Sequence, residues 1–263
     1  MNGTLHSISA GEGRDVILLH GLFGQGGNLK GVARALQSEF RVHCLDLPDH
    51  GRSCWLEQAS LEGYAKAVER WMLQQGLESA HVLGHSLGGK VAMQLALNHE
   101  NRVSTLVVAD IAPVPYPGAH QEILAAMANV AARRCQTRRE AESVLEEIID
   151  DPGVVGYLLM SLTRVHDVYE WKLNLAGLAA GYERLREAPL GEVAFHGITL
   201  FVKGGESPYI QAEHEPEIAR RFPRSTVATI DGAGHWVHID QAEQFLEIVR
   251  SHLHGSPGDQ RPE

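Results

Sequence analysis

Three cysteines in 263 residues, Cys44, Cys54 and Cys135, are odd in number and share no metal-type spacing. That excludes a disulfide framework and points to a reducing compartment. No run of about 18 apolar residues occurs, so no membrane-spanning helix is expected. Residues 1–11 also lack the basic and apolar regions of an export signal, which makes a cytoplasmic location the expectation. Basic charge is scarce: 23 Lys and Arg stand against 33 Asp and Glu, for a formal net charge of -10. Without a cationic stripe to neutralise phosphates, nucleic acid is excluded as a partner. There is no internal repeat, and nothing speaks to oligomeric state.

What the chain does have is alternation. Short apolar runs rich in β-branched residues recur at 16–19, 42–45, 81–83, 105–109, 198–202 and 226–230, each bounded by Gly, Pro, Asp or His. Amphipathic stretches lie between them at 29–40, 61–75, 90–99 and 241–252. This is the pattern of an α/β protein, a mostly parallel sheet flanked by crossover helices. Asp240, with Glu243 three residues on, has the spacing of a capping box opening the last helix. The strand rhythm breaks over 113–192, where Pro113, Pro115 and Pro117 open a helical stretch and Pro189 and Gly191 close it. The expected organisation is a core of 1–112 and 193–254, a helical cap inserted at 113–192, and a disordered tail at 255–263.

The chemistry concentrates at the carboxyl ends of the expected strands. The run 81–83 leads into Gly84-His85-Ser86-Leu87-Gly88-Gly89 and then a helix. This strand, tight turn and helix is the context a nucleophile elbow needs, with Ser86 projecting above the sheet and helix N–H groups behind it. A Gly-Ser turn without chemistry is the bland alternative. After 16–19 comes His20-Gly21-Leu22-Phe23-Gly24-Gln25-Gly26-Gly27-Asn28. It lacks the Lys-Ser/Thr ending of a phosphate loop, so the Leu22 and Leu87 N–H groups are read as an oxyanion hole. Phe23, Asn28, His85, Tyr209 and Trp236 are the candidate substrate-binding residues.

Fifteen histidines cannot choose a base by composition. In proteins built round this elbow the order is Ser, acid, His, with the base after the last strand. That selects His235, after Gly232-Ala233-Gly234. His238 points elsewhere, no third metal ligand joins the pair, and neither metal nor cofactor is expected. His20 and His85 read as hydrogen-bonding supports, and His6, His120, His214 and His254 as surface residues without signal. The usual acid slot after 198–202 holds Ser207, in Gly204-Gly205-Glu206-Ser207-Pro208. A hydroxyl cannot stabilise an imidazolium as a charge does. Asp110, at the end of the 105–109 run, is the preferred acid with Ser207 supplementing it. Glu206 is the alternative, and Asp110 as a mere cap of Ile111-Ala112-Pro113 is the bland reading.

With Gly84–Lys90, Asp110-Ile111-Ala112-Pro113, Ser207-Pro208-Tyr209 and Gly232–His238 in place, the chain resembles the small bacterial acyl-ester hydrolases of the YbfF type, among the capped α/β-hydrolases. The resemblance implies an esterase or thioesterase acting on small acyl esters or acyl-CoA through an acyl-enzyme, with roles for Ser86, His235, Asp110 and Ser207. Met127, Leu158, Leu159 and Met160 are candidates for the acyl pocket, or plain cap core. Arg133-Arg134 or Arg138-Arg139 could meet a CoA phosphate, or be solvated. An Asp nucleophile, as in epoxide hydrolases and haloalkane dehalogenases, is excluded by Ser86. A C–C bond hydrolase or lactonase on the same residues, or a non-catalytic ligand-binding homologue, stays open.

Overall fold

A computed structural model describes residues 3–191 and 194–255 of the chain. The expected end of the inserted stretch at 192 and, of the expected tail 255–263, all but Gly255 therefore lie outside the described residues.

Strands β1 (Ser7–Ala10), β2 (Arg14–Leu19), β3 (Phe40–Leu45), β4 (Ala80–His85), β5 (Val103–Ala109), β8 (Ile198–Gly204) and β9 (Ser225–Ile230) form one sheet in the order β1-β3-β2-β4-β5-β8-β9. All pairings are parallel except that of β1 with β3. Successive side chains of a strand face opposite sides, so both faces must be covered. In β2, Ile17 and Leu19 join one core with Tyr64, Val68 and Met72 of α2 (Leu61–Gln74) and with Val91 and Leu95 of α3 (Leu87–Asn98). Val16 and Leu18 join the other, with Val32 and Leu36 of α1 (Lys30–Leu36) and Phe245, Val249 and Leu253 of α10 (Ala242–His254). Helix α2 begins where Ser60 accepts a 3.1 Å hydrogen bond from the Gly63 N–H, an N-cap that satisfies one of the helix's free donors.

Between β5 and β8 the chain makes α4 (Gln121–Arg133), α5 (Arg138–Glu146), α6 (Pro152–Leu159), the hairpin β6 (Leu162–Val165) and β7 (Val168–Trp171), and α7 (Leu175–Arg186). The hairpin departs from the purely helical expectation. Its two strands pair antiparallel, and Tyr169 N–H donates to the Cys135 carbonyl at 2.8 Å. Two further expectations are corrected. The helix expected over 29–40 ends at Leu36, because Phe40 opens β3 in register with Arg14 and is buried there. Asp240 does not cap the last helix: its carboxylate accepts the Gly234 N–H at 2.9 Å, and Gln241 occupies the N-cap. The remaining core elements are the helices α8 (Glu215–Arg221) and α9 (Val237–Asp240).

Candidate active site

Ser86 sits between β4 and α3 at φ 54° and ψ -117°, a conformation L-residues avoid and one that costs about 1–3 kcal/mol. The glycines on either side make it reachable. A Cβ on Gly88 would run into the Leu19 carbonyl and lie 2.7 Å from the His20 oxygen, and one on Gly84 would meet the Gly88 carbonyl. The turn is held by Ser86 N–H donating to the Ala109 carbonyl at 3.0 Å and Lys90 N–H to the Ser86 carbonyl at 3.1 Å. Leu87 heads α3, where the first N–H groups of a helix have no intrahelical acceptor.

Asp110 follows β5 directly and is also in the left-handed region, at φ 53°. It is fully buried, and three donors converge on it. Oδ1 accepts the Gly204 N–H at 3.0 Å. Oδ2 accepts the Ser207 hydroxyl and the His235 Nδ1–H, the latter at 2.8 Å. Asp110 makes no side-chain bond to residues 111–113 among the described residues, while Glu206, one position before Ser207, is exposed. Ser207 is buried, its hydroxyl also accepts the Tyr209 N–H at 3.3 Å, and its carbonyl takes the Gln211 side chain at 2.8 Å.

His235 is fixed from three sides. Asp110 holds Nδ1, the Tyr209 ring stacks on it with centroids 4.1 Å apart, and its carbonyl accepts from His85 Nε2 at 2.9 Å. His85 is buried and serves His235 instead of forming pocket wall. His238 lies edge-on behind His85, ring centroids 4.7 Å apart. Burial first, then the neighbouring imidazoles, hold His85 well below the ordinary histidine range, and burial pushes His238 down to about 4. Both are neutral supports.

The loop 20–28 crosses above β2, close to the elbow: a Cβ on Gly21 would sit 3.4 Å from the Ser86 Cβ. His20 Nδ1–H donates to the Gly21 carbonyl at 2.8 Å, and its Nε2 accepts the Leu47 N–H at 2.9 Å. Phe23 has φ 65°, and its N–H donates to His50 Nε2 at 3.2 Å. The inserted stretch grips the same loop. Tyr157 donates to the Gly21 and Leu22 carbonyls, Ser161 to the Phe23 carbonyl at 2.5 Å, and Gln25 Nε2 to the Met160 carbonyl at 3.0 Å. Asn28 Oδ1 accepts the Gln25 N–H at 2.9 Å, and its amide donates to the Met160 sulfur at 3.6 Å. Phe23 and Asn28 thus shape and anchor the loop and are not among the pocket's lining residues. Trp236 is not among them either; it packs on Tyr157.

A cavity of about 420 Å³ opens at Ser86. Leu22 and Leu87 line it beside the serine, Ile111, Tyr116 and Leu185 form apolar wall, and Tyr209 closes the side nearest His235. Met127, Leu158 and Leu159 are buried inside the inserted stretch, Met160 is exposed, and none of the four reaches the cavity. Arg133 pairs with Glu147 at 2.6 Å and Arg138 donates to the Leu159 carbonyl, away from the cavity, and neither Arg134 nor Arg139 lines it.

Sequence reasoning missed Lys90, His120 and Tyr182. Lys90 is buried at the cavity wall and donates to the carbonyls of Val114, Arg186 and Glu187 at 2.6–2.9 Å, tying both connections of the inserted stretch to α3. Desolvation pushes its ammonium down to about 7. A lysine near the start of a largely apolar helix was the available signal. His120, read as a surface residue, lies on the cavity wall, as does His214.

Residues 16–248 match the alpha/beta hydrolase family model. The chain is similar to sn-1-specific diacylglycerol lipase ABHD11 of Mus musculus, 37% identical over 90% of this chain and 80% of that protein. It is also similar to esterase YbfF of Escherichia coli K12, 32% identical over 90% of this chain and 92% of the esterase. Among solved structures, a marine microorganism esterase superposes with TM-score 0.92 at 33% identity, over 95% of this chain and all of that one. This chain belongs to the alpha/beta hydrolase family.

Proposed function

We propose that this protein is a serine hydrolase of carboxylic esters, with Ser86 as nucleophile, His235 as base and Asp110 as the buried charge that orients and stabilises it. The observation that carries the reading is the Asp110–His235 pair: a fully buried carboxylate just after β5, which adjoins the elbow's β4, lies 2.8 Å from a nitrogen of an imidazole in the loop after the edge strand β9. Relatives named esterase or lipase support the reaction class. Ser86 Oγ attacks the ester carbonyl as its proton passes to His235 Nε2, and the oxyanion forms against the Leu22 and Leu87 N–H groups. Collapse expels the alcohol, protonated by His235. A water, deprotonated by the same nitrogen, then releases the acid from Ser86. Asp110 accepts from Nδ1 throughout, so Nε2 carries no proton before attack. Ser207 donates to the same carboxylate oxygen and helps hold it in place.

The inserted stretch acts as a cap, since it supplies Pro115, Tyr116, Tyr182 and Leu185 to the cavity wall. A cavity of about 420 Å³ with a largely apolar wall fits a short to medium acyl chain. Among the described residues no helix is long and apolar enough to cross a membrane; a cytoplasmic location fits the three free thiols. A panel of p-nitrophenyl esters of rising chain length beside acyl-CoAs tests the reading. Oxyester turnover with an optimum at short to medium chains is expected, preferred acyl-CoA turnover assigns a thioesterase, and no turnover of either defeats it.

A further inference from the structure

His120 stands at the N-terminus of α4, where its carbonyl accepts the Leu124 N–H at 2.9 Å, so its backbone is fixed by the helix. Its ring lies on the cavity wall with Ser86, and edge-on to Phe23 of the 20–28 loop, centroids 6.2 Å apart. Tyr182 of α7 determines which ring nitrogen carries hydrogen. The Tyr182 oxygen accepts the His120 backbone N–H at 3.1 Å. Among the described residues the acceptor within reach of the hydroxyl's own hydrogen is His120 Nδ1, at 2.8 Å. Nδ1 is therefore the acceptor and Nε2 bears the hydrogen. Among the described residues Nε2–H has no hydrogen-bond partner. A donor whose tautomer is set by a tyrosine, on the wall of a largely apolar cavity, is a recognition element.

We infer that His120 is a specificity-determining residue whose Nε2–H hydrogen-bonds an uncharged oxygen of the substrate outside the scissile ester group. The inference rests on the esterase reading of this cavity and names a feature of its substrate: a second oxygen, carbonyl, ether or hydroxyl, in the acyl chain or in the alcohol. An uncharged acceptor fits best for two reasons. Burial, then the nearby His235, hold the His120 imidazole below its ordinary range, so it acts as a neutral donor. The cations on the same wall are already engaged, Lys90 by three carbonyls and Arg186 by the Tyr116 carbonyl and Glu183, while Glu213 disfavours an anion.

Two matched pairs distinguish the sources of the oxygen. On the acyl side, p-nitrophenyl pentanoate is compared with p-nitrophenyl 4-oxopentanoate; on the alcohol side, pentyl butanoate with 2-ethoxyethyl butanoate. The wild-type protein is expected to prefer the oxygen-bearing ester of one pair about tenfold in kcat/KM, chiefly through KM. His120→Phe removes that preference, lowering kcat/KM for the oxygen-bearing ester about tenfold more than for its plain partner, and His120→Gln, which restores a donor of similar reach, recovers part of it. A wild-type protein without preference in either pair overturns the inference, as does a His120→Phe variant that loses activity equally on both members, since a structural role cannot tell the two esters apart. Turnover of plain esters by the wild-type protein is read separately: its absence defeats the esterase reading itself, whereas its presence without discrimination defeats only the role of His120.

Discussion

Replacing Asp110 by asparagine changes one atom and should nearly abolish turnover. The carboxylate is fully buried and takes the Gly204 N–H on one oxygen and the Ser207 hydroxyl and His235 Nδ1–H on the other. Gly204 belongs to β8, so its N–H is fixed and keeps the amide oxygen of an asparagine on that side. The amide NH2 then occupies the position of Oδ2 and donates. His235 can meet it only with an unprotonated Nδ1, which puts the ring hydrogen on Nε2 and removes the base. Loss of the correct tautomer is worth about 10⁴ in kcat in serine hydrolases, or about 5.4 kcal/mol in the barrier. The assay is kcat on p-nitrophenyl butanoate, with circular dichroism to establish that the variant is folded. Glu206→Gln is the control, since that side chain is exposed, and its kcat should stay within about twofold. A folded Asp110→Asn variant that keeps more than a tenth of wild-type kcat, or a Glu206→Gln variant that loses it, refutes the assignment.

Ser207→Ala deletes a hydroxyl that donates to the same oxygen, and a hydrogen bond to a charged group is worth about 1.5–3 kcal/mol; kcat should fall between about tenfold and a hundredfold, far less than for Asp110→Asn, and an unchanged kcat would remove Ser207 from the account. Gly88→Ala places a methyl against the Leu19 and His20 carbonyls and should cost about 1–3 kcal/mol in urea denaturation, together with loss of activity as the elbow shifts; a wild-type midpoint contradicts this. Stability should also fall on mild acidification. Burial holds His50 down to about 3 and His238 down to about 4, whereas the unfolded chain takes up protons near 6.5. The unfolded state then binds more protons, so the contribution is complete above about pH 6.5 and diminishes as pH falls towards the folded values, by about 2 kcal/mol for each histidine at pH 5. Urea denaturation at pH 7 and pH 5 measures it, and equal stabilities would show that these imidazoles are not held neutral.

Much of the site was legible in the sequence because its parts are local. The Gly-x-Ser-x-Gly turn, the glycine-rich loop after β2 and the two glycines before His235 each declare their backbone geometry within a few residues. Asp110 could be proposed because Ser207 stands in the usual acid position and a charge was still required. Ser207 was read as supplementing it, but the Gly204 N–H on its other oxygen was not readable, since that bond spans 94 residues. The cavity wall was the least legible part. Met127, Leu158 and Leu159 have the composition of an acyl pocket but face the interior of the inserted stretch, while the wall comes from 115–120 and from α7. A polar residue such as His120 gains its meaning only from Tyr182, 62 residues later, and from the serine across the cavity. The hairpin β6–β7 was hidden for a similar reason: four-residue strands with mixed exposure carry too few alternations to stand out from amphipathic helix.

The central claim, that Ser86 is a nucleophile activated by His235, is tested most directly by covalent capture. Incubation with a fluorophosphonate, followed by intact-mass and peptide mass spectrometry, should show one adduct per chain on the peptide containing Ser86, none in Ser86→Ala, and labelling slowed by orders of magnitude in His235→Ala. An adduct on another residue, or equal labelling of the Ser86→Ala variant, would contradict the account.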